Sequence, residues 1–589
     1  MTLLMEWAWG ILSAIGLQRI CQAAVNDGHA HPAVEKLASV GTHGLYPASC
    51  HRDILKKFPI SSTRVPEPLI VKIPLLDTKV APPAVAWVDF PIFLAQDLMS
   101  CLWENNRPEF HRRYTGLGDE IREFWEGIRR DDPRILHHPV TGTRNYKSYG
   151  IPGRLHGDGV PYGKGEGAAL DVFSHSSMVA VGEIVDTIML YWALPSKLCC
   201  KAAEHGVDTY ALIWKITIWD MVCCARGERS ETDWDGQPWP SGHPMNGKRG
   251  RICGDYFMAW FQFASDDEYL ANYLHLPHWN NPSPCVFCSA NDSDNPWTDF
   301  REGALWQQHL KSLAQWEASH ADHPLWNAYL LIGLTAFHIC IDELHNGALG
   351  ILKNSLGSCI WVCVHFANIP GSFSTRVSTV WSYVCRAYDE LNTDHRLRVP
   401  YFKFLGVFNK QTSERPSDWP TLSGKAAHAR HCLFALTKAC DNIAHDYHVT
   451  SKEFKLQRYM LHRATKFYTI LNEHGHYMSE EAGQDCFKNV RQFLQAQNAL
   501  GKHYKERQPQ LLLFPVTFKS HLMWHFGHSC QFFNPRCGWC YRDESFVGYI
   551  ARVAKSVVAG LGAKRVALSL AKKWRWMLHL RMWQRERDN

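Results

Sequence analysis

The sequence lacks the motifs that identify several common enzyme classes. It has no G-x-S-x-G nucleophile elbow, no G-x-G-x-x-G after a strand-like run, and no Walker A motif, because no glycine-rich run precedes Ser423-Gly424-Lys425. It also has no internal repeat and no low-complexity tract. These absences leave little support for an α/β hydrolase or a redox enzyme.

Long apolar runs are scarce as well. The first 25 residues are apolar, but Glu6 stands where a signal peptide has basic residues, and His338 interrupts the apolar stretch 328–341. Neither run is long enough to span a bilayer. We therefore expect the N-terminal segment to be a packed helix and the chain to have no membrane association.

The twenty cysteines lack the regular spacing of a disulfide framework, and two pairs are adjacent in sequence, Cys199-Cys200 and Cys223-Cys224. Such usage favours reduced thiols inside a cell over an oxidised secreted domain. Apolar residues make up 46% of the 589 residues and charged residues 20%. The chain can therefore bury a large core and is neither disordered nor collagenous.

Positive charge is concentrated at the C-terminal end. From Ala551 onwards ten basic residues face two acidic ones, a surplus of eight, whereas the whole chain has a net charge of +6. A basic helix on a near-neutral body favours an anionic partner such as nucleic acid, with a solvated helix end as the alternative. The candidate DNA-contacting residues are Lys564, Arg565, Lys572, Lys573 and Arg575.

Hydrophobic periodicity divides the chain into four regions. They are residues 1–147, helical with a proline-rich linker or edge segment at 64–95; residues 148–346, with alternating strands and helices; residues 347–510, mostly helical; and residues 511–589, with a short strand-like stretch and a basic C-terminal helix. The second region has the order strand, strand, strand, helix, strand, helix, which indicates an α/β unit opened by a meander. Within it, residues 251–255 are predicted as a short strand and residues 256–274 as a helix.

Two aspartates lie where predicted strands end. Asp158 begins a glycine-rich turn, and Asp255 ends the predicted strand 251–255. An Asp-Gly turn and a helix N-cap are the ordinary alternatives for these two residues. If the two strands are neighbours in one sheet, the carboxylates could converge and bind Mg²⁺ or Mn²⁺, which prefer oxygen ligands. A pair of such ions suits displacement at a phosphodiester.

A Cys-x2-Cys sequence at Cys285 and Cys288 is half of a zinc site, with two core thiols as the alternative. No second ligand pair follows at finger spacing. The candidates to complete the site are His338, Asp342 and His345, and a second Cys-x2-Cys is formed by Cys537 and Cys540. Asp342 and His345 are three residues apart and would share one face of a helix.

The segment 514–544 is rich in histidine and ends on carboxylates. His521 and His525 are four residues apart and could face one groove. Glu544 opens a predicted helix and could add a third carboxylate to the two aspartates. Asp543 is the alternative, or the N-cap of that helix.

Taken in order, these residues resemble the catalytic core of cut-and-paste DDE/D transposases with an RNase H-like fold, and the match is closest to the hAT and KDZ (Kyakuja-Dileera-Zisupton) families. In that group a Cys-or-Asp-x2-His signature lies between the second Asp and the Glu, and a large helical insertion precedes the Glu. The resemblance covers residues 148–560. Its pieces are RLHGDGV with Asp158, RICGDYF with Asp255, the Cys-x2-Cys at Cys285, Asp342-x2-His345, and NPRCGWCYRDESFVG with Glu544.

The resemblance implies an α/β fold in which an RNase H-like mixed sheet is interrupted by a large α-helical insertion and preceded by a helical N-terminal region. It implies that Asp158, Asp255 and Glu544 bind Mg²⁺ or Mn²⁺. It further implies that four residues are structural or hold Zn²⁺: Cys285, Cys288, Asp342 and His345. Asp158 and Asp255 should then lie on adjacent strands.

The implied activity is hydrolytic nicking and strand transfer at the ends of double-stranded DNA, in the nucleus, and a homo-oligomer is compatible with it. The sequence has no zinc finger before residue 148, where such enzymes often carry their DNA-reading module. A truncated or domesticated copy is therefore one alternative. The other is a non-catalytic, zinc-stabilised DNA-binding or scaffold protein derived from a transposon.

Overall fold

A computed structural model describes residues 2–588, except 29–30, 79, 164–167, 292, 321–328, 409–418, 508–509, 511 and 558–562. The strands are β1 (Leu69–Asp77), β2 (Ala84–Ile92), β3 (Gly150–Pro161), β4 (Ala169–Ser177), β5 (Ile188–Pro195), β6 (Glu228–Arg229), β7 (Gly250–Arg251), β8 (Phe257–Ala264) and β9 (Ile339–Cys340). Within the described residues, the helices of seven or more residues are Thr2–Ala8, Ala14–Asn26, Pro32–Ala38, Cys50–Lys57, Ala95–Asn105, Glu120–Gly127, Thr209–Arg226, Asp267–Leu274, Leu313–His320, Leu344–Phe366, Phe373–Glu390, Ala426–Asp446, Lys452–Glu473, Glu480–Arg507, Phe518–Ser529, Tyr541–Val557 and Ala563–Asp588. The predicted α/β class is confirmed.

The central element is a mixed five-stranded sheet with the order β5-β4-β3-β8-β9. Strands β3, β4 and β5 are antiparallel neighbours, as the predicted meander requires. Strand β8 then lies parallel to β3, and β9 lies parallel to β8. The helix Thr209–Arg226 lies between β5 and β8 in the chain, and a strand that returns parallel to earlier strands of the same sheet needs a crossover connection of this kind.

Strand β8 corrects the sequence prediction for residues 251–274. The eight residues Phe257–Ala264 are all buried, and a continuous apolar run is typical of a strand covered on both faces. Periodicity alone cannot distinguish such a run from a buried helix, and a helix was predicted there. The helix begins only at Asp267, and Asp255 therefore precedes a strand instead of ending one.

The proline-rich segment is a hairpin and not a linker. Strands β1 and β2 pair antiparallel from Leu69 opposite Ile92 to Asp77 opposite Ala84. Pro74 is tolerated because every strand of a two-stranded ribbon has a free edge. The strand-like stretch near the start of the last region is not a strand in its described residues 512–517, and a helix begins at Phe518.

A second, helical core packs beside the sheet. It is built mainly by the helices between Leu344 and Ser529, and it also takes in the loop that carries Cys285 and Cys288. The helix Leu344–Phe366 is long and apolar enough to cross a membrane, but 89% of its most apolar window is buried inside the protein. A buried core helix passes the same test of length and composition.

The C-terminal helix Ala563–Asp588 is a core element and not a solvated basic face. Lys573 is buried, and its Nζ donates to the carbonyl of Trp7 at 2.9 Å and to the hydroxyl of Ser556 at 2.8 Å. Arg575 is buried too, and it forms an ion pair with Glu67. The prediction that these two residues lie on a DNA-binding face is therefore wrong, because the fold itself uses their donors.

The other predicted DNA contacts on this helix fare differently. Arg565 and Lys572 are exposed, and the side chain of Lys564 lies outside the described residues. Farther along, Arg581 and Arg585 form ion pairs with the buried Asp186. Arg575, Arg581 and Arg585, three of the basic residues that mark this segment in the sequence, are thus paired with acidic residues of the protein itself.

Candidate active site and metal centre

Three carboxyl groups lie near one end of the sheet, close enough for their charges to affect one another, although their oxygens are not all within 4.8 Å of one another. We call Asp158, Asp266 and Glu544 the carboxylate cluster. Asp158 and Glu544 are close enough for each to change the pKa of the other. Burial, together with the negative charges of Glu544 and Asp266, raises the pKa of Asp158 to about 8. Burial also raises the pKa of Glu544, against the opposing effect of positively charged His345. The cluster is therefore an accumulation of like charge.

Strand register explains why Asp266 joins Asp158. His156 on β3 pairs with Ala264 on the parallel strand β8, and each aspartate follows its paired residue by two positions. Asp266 then caps the helix Asp267–Leu274, and its Oδ1 accepts from the Tyr269 amide at 2.6 Å. A Cβ on Gly157 would overlap the Tyr269 ring. Glycine beside Asp158 thus lets this helix approach the strand.

Asp255, predicted as the second cluster member, lies at the opposite end of the sheet. Phe257 pairs with Gly150, eight residues before Asp158, and at about 3.3 Å per residue this places the two aspartates about 25 Å or more apart. Asp255 is exposed and pairs with Arg251 at 2.8 Å. The prediction is wrong because the residue precedes β8, whereas Asp266 follows it. The sequence signal for Asp266 was the acidic turn directly after the apolar run.

The helix Tyr541–Val557, which we call the glutamate helix, delivers Glu544. Arg154 and Asp158 lie on one face of β3, because alternate residues of a strand share a face. Arg154 pairs with Asp543 at 2.5 Å, while Asp158 contacts the next residue, Glu544. Asp543, the alternative third carboxylate, is thus buried in an ion pair and lies outside the cluster.

Asp342 and His345 belong beside the carboxylate cluster and not at the zinc site. His345 Nδ1 lies 2.6 Å from Asp342 Oδ2, and its Nε2 lies 3.9 Å from Glu544 Oε1. Burial alone would lower the pKa of His345, but its bond to Asp342 and the nearby carboxylates raise that pKa to about 9. Asp342 is fully buried and also accepts from the Cys540 amide at 3.1 Å. The predicted role of both residues as zinc ligands is therefore wrong.

A cleft of about 900 Å³ opens next to the cluster. Asp266 and His345 line it from the sheet side. Lys353 and Lys519 line it from the helical region, together with aromatic and apolar side chains. The cleft thus joins a concentrated negative charge to basic and apolar walls, and no sequence pattern indicated it.

A second group of ligands is fully buried. Cys285, Cys288, His521 and His525 form what we call the thiol–imidazole cluster, and their ligand atoms all lie within 4.8 Å of one another. The Sγ–Nε2 distances are 3.4 Å for Cys285–His525 and 3.3 Å for Cys288–His521, and the two Nε2 atoms are 3.2 Å apart. Tetrahedral zinc with ordinary bond lengths requires edges of about 3.3–3.8 Å. The cluster could therefore hold a metal such as zinc.

Local structure supports the thiols as ligands. The amides of Phe287 and Ala290 donate to Cys285 and Cys288 at 3.3 and 3.5 Å, and such bonds favour the thiolate form. The two histidines are one turn apart on the helix Phe518–Ser529, which we call the histidine helix. The sequence showed both pairs, but more than 200 residues separate them, so spacing could not join them.

The remaining predicted zinc ligands lie elsewhere. His338 bonds to the Arg134 carbonyl at 3.0 Å and to Thr335. Cys540 packs against Ala264 and Cys340. In the part of the chain that the structure describes, neither Cys537 nor Cys540 belongs to a cluster of three or more metal-binding side chains.

No protein-family model matches this chain, and neither does any curated protein.

Proposed function

We propose that the protein is a DNA nuclease and strand transferase of the DDE/D transposase type, built on an RNase H-like core. Asp158, Asp266 and Glu544 would hold its divalent metal ions. One observation carries the proposal: carboxylates from the same end of two neighbouring parallel strands and from the start of a later helix lie within electrostatic range of one another, and one of them, Asp266, lines an open cleft. Asp266 takes the place expected of Asp255.

The topology supports the RNase H-like assignment. Three antiparallel strands are followed by a helix and by two parallel strands, and the first aspartate lies on the central strand β3. A long helical region then separates His345 from the glutamate helix, as the resemblance to hAT and KDZ transposases implies.

The donor set fits Mg²⁺ or Mn²⁺. All three side chains offer carboxylate oxygens, which these hard cations prefer. Burial, together with the charges of Glu544 and Asp266, raises the pKa of Asp158, so a divalent cation would relieve an unfavourable accumulation of charge. When bound, such ions stabilise the attacking and leaving oxygens of a phosphodiester displacement.

The chain's own residues would bind and orient the DNA around this site. His345 has a pKa of about 9 and is therefore cationic at neutral pH, with Asp342 fixing its ring. Its Nε2 lies 3.9 Å from Glu544 Oε1, and the residue lines the cleft. Lys353 and Lys519 also line the cleft, where they would contact backbone phosphates without reading sequence.

The thiol–imidazole cluster would hold a structural zinc ion. Its four ligands are at most 6% exposed, and a site with four protein ligands leaves no position open for water. The ion would tie the Cys285 loop to the histidine helix. Double-stranded DNA, a nuclear location and a homo-oligomer remain parts of the same proposal.

The test is incubation of zinc-loaded protein with supercoiled plasmid, with Mg²⁺, with Mn²⁺ or with EDTA. We expect nicked and linear products with either ion, none with EDTA, and none from Glu544→Gln. DNA binding by wild type without cleavage under all three conditions would favour the alternative, a non-catalytic zinc-stabilised DNA-binding or scaffold protein.

A further inference from the structure

Arg154 holds the segment that leads into the glutamate helix. Its guanidinium donates to the carbonyls of Cys537 at 2.8 Å and Trp539 at 3.0 Å, and to the carboxylate of Asp543 at 2.5 Å. All three acceptors lie within the seven residues before Glu544. Arg154 is 8% exposed and Asp543 is 2% exposed. A single side chain on β3 therefore fixes the start of the helix that carries the third carboxylate.

Strand geometry links this attachment to the carboxylate cluster. Arg154 and Asp158 are four residues apart on one face of β3, and their partners on the glutamate helix are the consecutive residues Asp543 and Glu544. The distance between Arg154 and Asp158 along β3 thus determines where Glu544 lies relative to Asp158. His156 lies between them on the same face.

The same segment is also held from the side of His345. The Cys540 amide donates to Asp342 Oδ1 at 3.1 Å, and Asp342 fixes the His345 ring at 2.6 Å. The Glu544 amide in turn donates to the Cys540 carbonyl at 2.7 Å. The turn before Glu544 is therefore anchored to two of the elements that form the site.

We infer that Arg154 is a positioning residue, which sets the distance between the Glu544 and Asp158 carboxylates and so the affinity of the site for divalent metal. This inference rests on the proposed function. A buried ion pair usually stabilises a protein no more than well-packed apolar residues of the same volume do. Stability alone therefore does not explain why Arg154 and Asp543 are charged residues. The planar fork of arginine can serve three acceptors at fixed angles, which lysine cannot do.

The test compares two variants that retain different parts of the attachment. Arg154→Lys keeps the charge opposite Asp543 but loses the fork, and the double variant Arg154→Met with Asp543→Leu removes both buried charges together. We expect each to weaken Mn²⁺ binding about tenfold to a hundredfold, the usual effect of changing a side chain that orients a metal ligand. Binding is measured from the free Mn²⁺ signal in electron paramagnetic resonance, with zinc content and thermal unfolding recorded for every sample.

Arg581→Met is the matched control, because Arg581 is a partly buried arginine on the C-terminal helix that forms ion pairs with Asp186 and Glu183. It should lower the unfolding temperature and leave Mn²⁺ affinity unchanged. Wild-type Mn²⁺ affinity in both Arg154 variants, with binding intact in the wild type, would overturn this inference alone. A folded wild type that binds no Mn²⁺ would overturn the inference and the proposed function together.

Discussion

The carboxylate cluster and the thiol–imidazole cluster are built in opposite ways. Side chains at the first are partly open, with His345 26% and Glu544 33% exposed, whereas Cys285 and His521 are fully buried. The first gathers like charges that repel one another, and the second already has nearly tetrahedral spacing. A solvent-accessible group of carboxylates that repel one another can bind metal ions that act on a substrate. A buried set of four protein ligands is typical of a metal ion that stabilises the fold.

Replacing Asp158 with asparagine should have the largest effect, a loss of activity without a loss of folding stability. We expect DNA cleavage to fall about a thousandfold, because loss of a metal ligand removes several kcal/mol of transition-state stabilisation. Folding should be unimpaired, or strengthened by up to about 1 kcal/mol, since partial burial and the neighbouring negative charges disfavour the ionised form of Asp158. Cleavage rates and urea unfolding measure the two effects.

The same substitution at an exposed carboxylate is the control. Asp89 pairs with Lys72 on the hairpin, with both side chains exposed, and Asp89→Asn should change neither quantity. If Asp158→Asn cost as much stability as activity, the comparison would fail, because the carboxylate cluster would then be structural.

Replacing Cys288 with serine should reduce zinc content and folding stability, in contrast to Asp158→Asn, which should reduce mainly activity. Zinc content should drop from one ion per chain, and the free energy of unfolding should fall by about 4 kcal/mol or more, as expected when a structural metal is lost. Cys385→Ser changes a half-buried cysteine outside the cluster and should leave both the zinc content and the free energy of unfolding unchanged. Metal analysis and urea unfolding are the measurements, and full zinc content in Cys288→Ser would contradict the assignment.

Whether a site residue can be predicted from the sequence depends on how far it lies along the chain from the residues it contacts. The sequence alone nominates Asp158, Glu544 and the Cys285–Cys288 pair as candidates, because each stands in a short local pattern. The sequence does not single out Asp266, because the continuous apolar run before it is compatible with a buried helix as well as with a buried strand. The histidine partners were not assigned, since contacts between residues separated by more than 200 positions leave no trace in spacing.

The C-terminal helix was misjudged for a different reason. Charge counts do not show whether a basic side chain faces solvent or an internal partner, and Lys573 and Arg575 are both buried. Composition correctly located the charge, but only packing shows what that charge contacts.

The smallest expected effect concerns this helix and its dependence on pH. Burial lowers the pKa of Lys573 to about 8, so between about pH 8 and 10.4 the unfolded state binds more protons than the folded state. This residue's contribution to the unfolding free energy should therefore rise with pH across that window, by about 1–3 kcal/mol. The difference between wild type and Lys573→Met in urea unfolding isolates it, and a pH-independent difference would contradict the burial argument.

The most direct test of the central claim is a Mn²⁺ titration of three zinc-loaded proteins: wild type, Asp266→Asn and Asp255→Asn. The two substitutions remove the same charge from opposite ends of the strand β8. The carboxylate cluster predicts that Asp266→Asn weakens Mn²⁺ binding at least about tenfold while Asp255→Asn matches the wild type. Loss of binding in Asp255→Asn together with wild-type affinity in Asp266→Asn would contradict it.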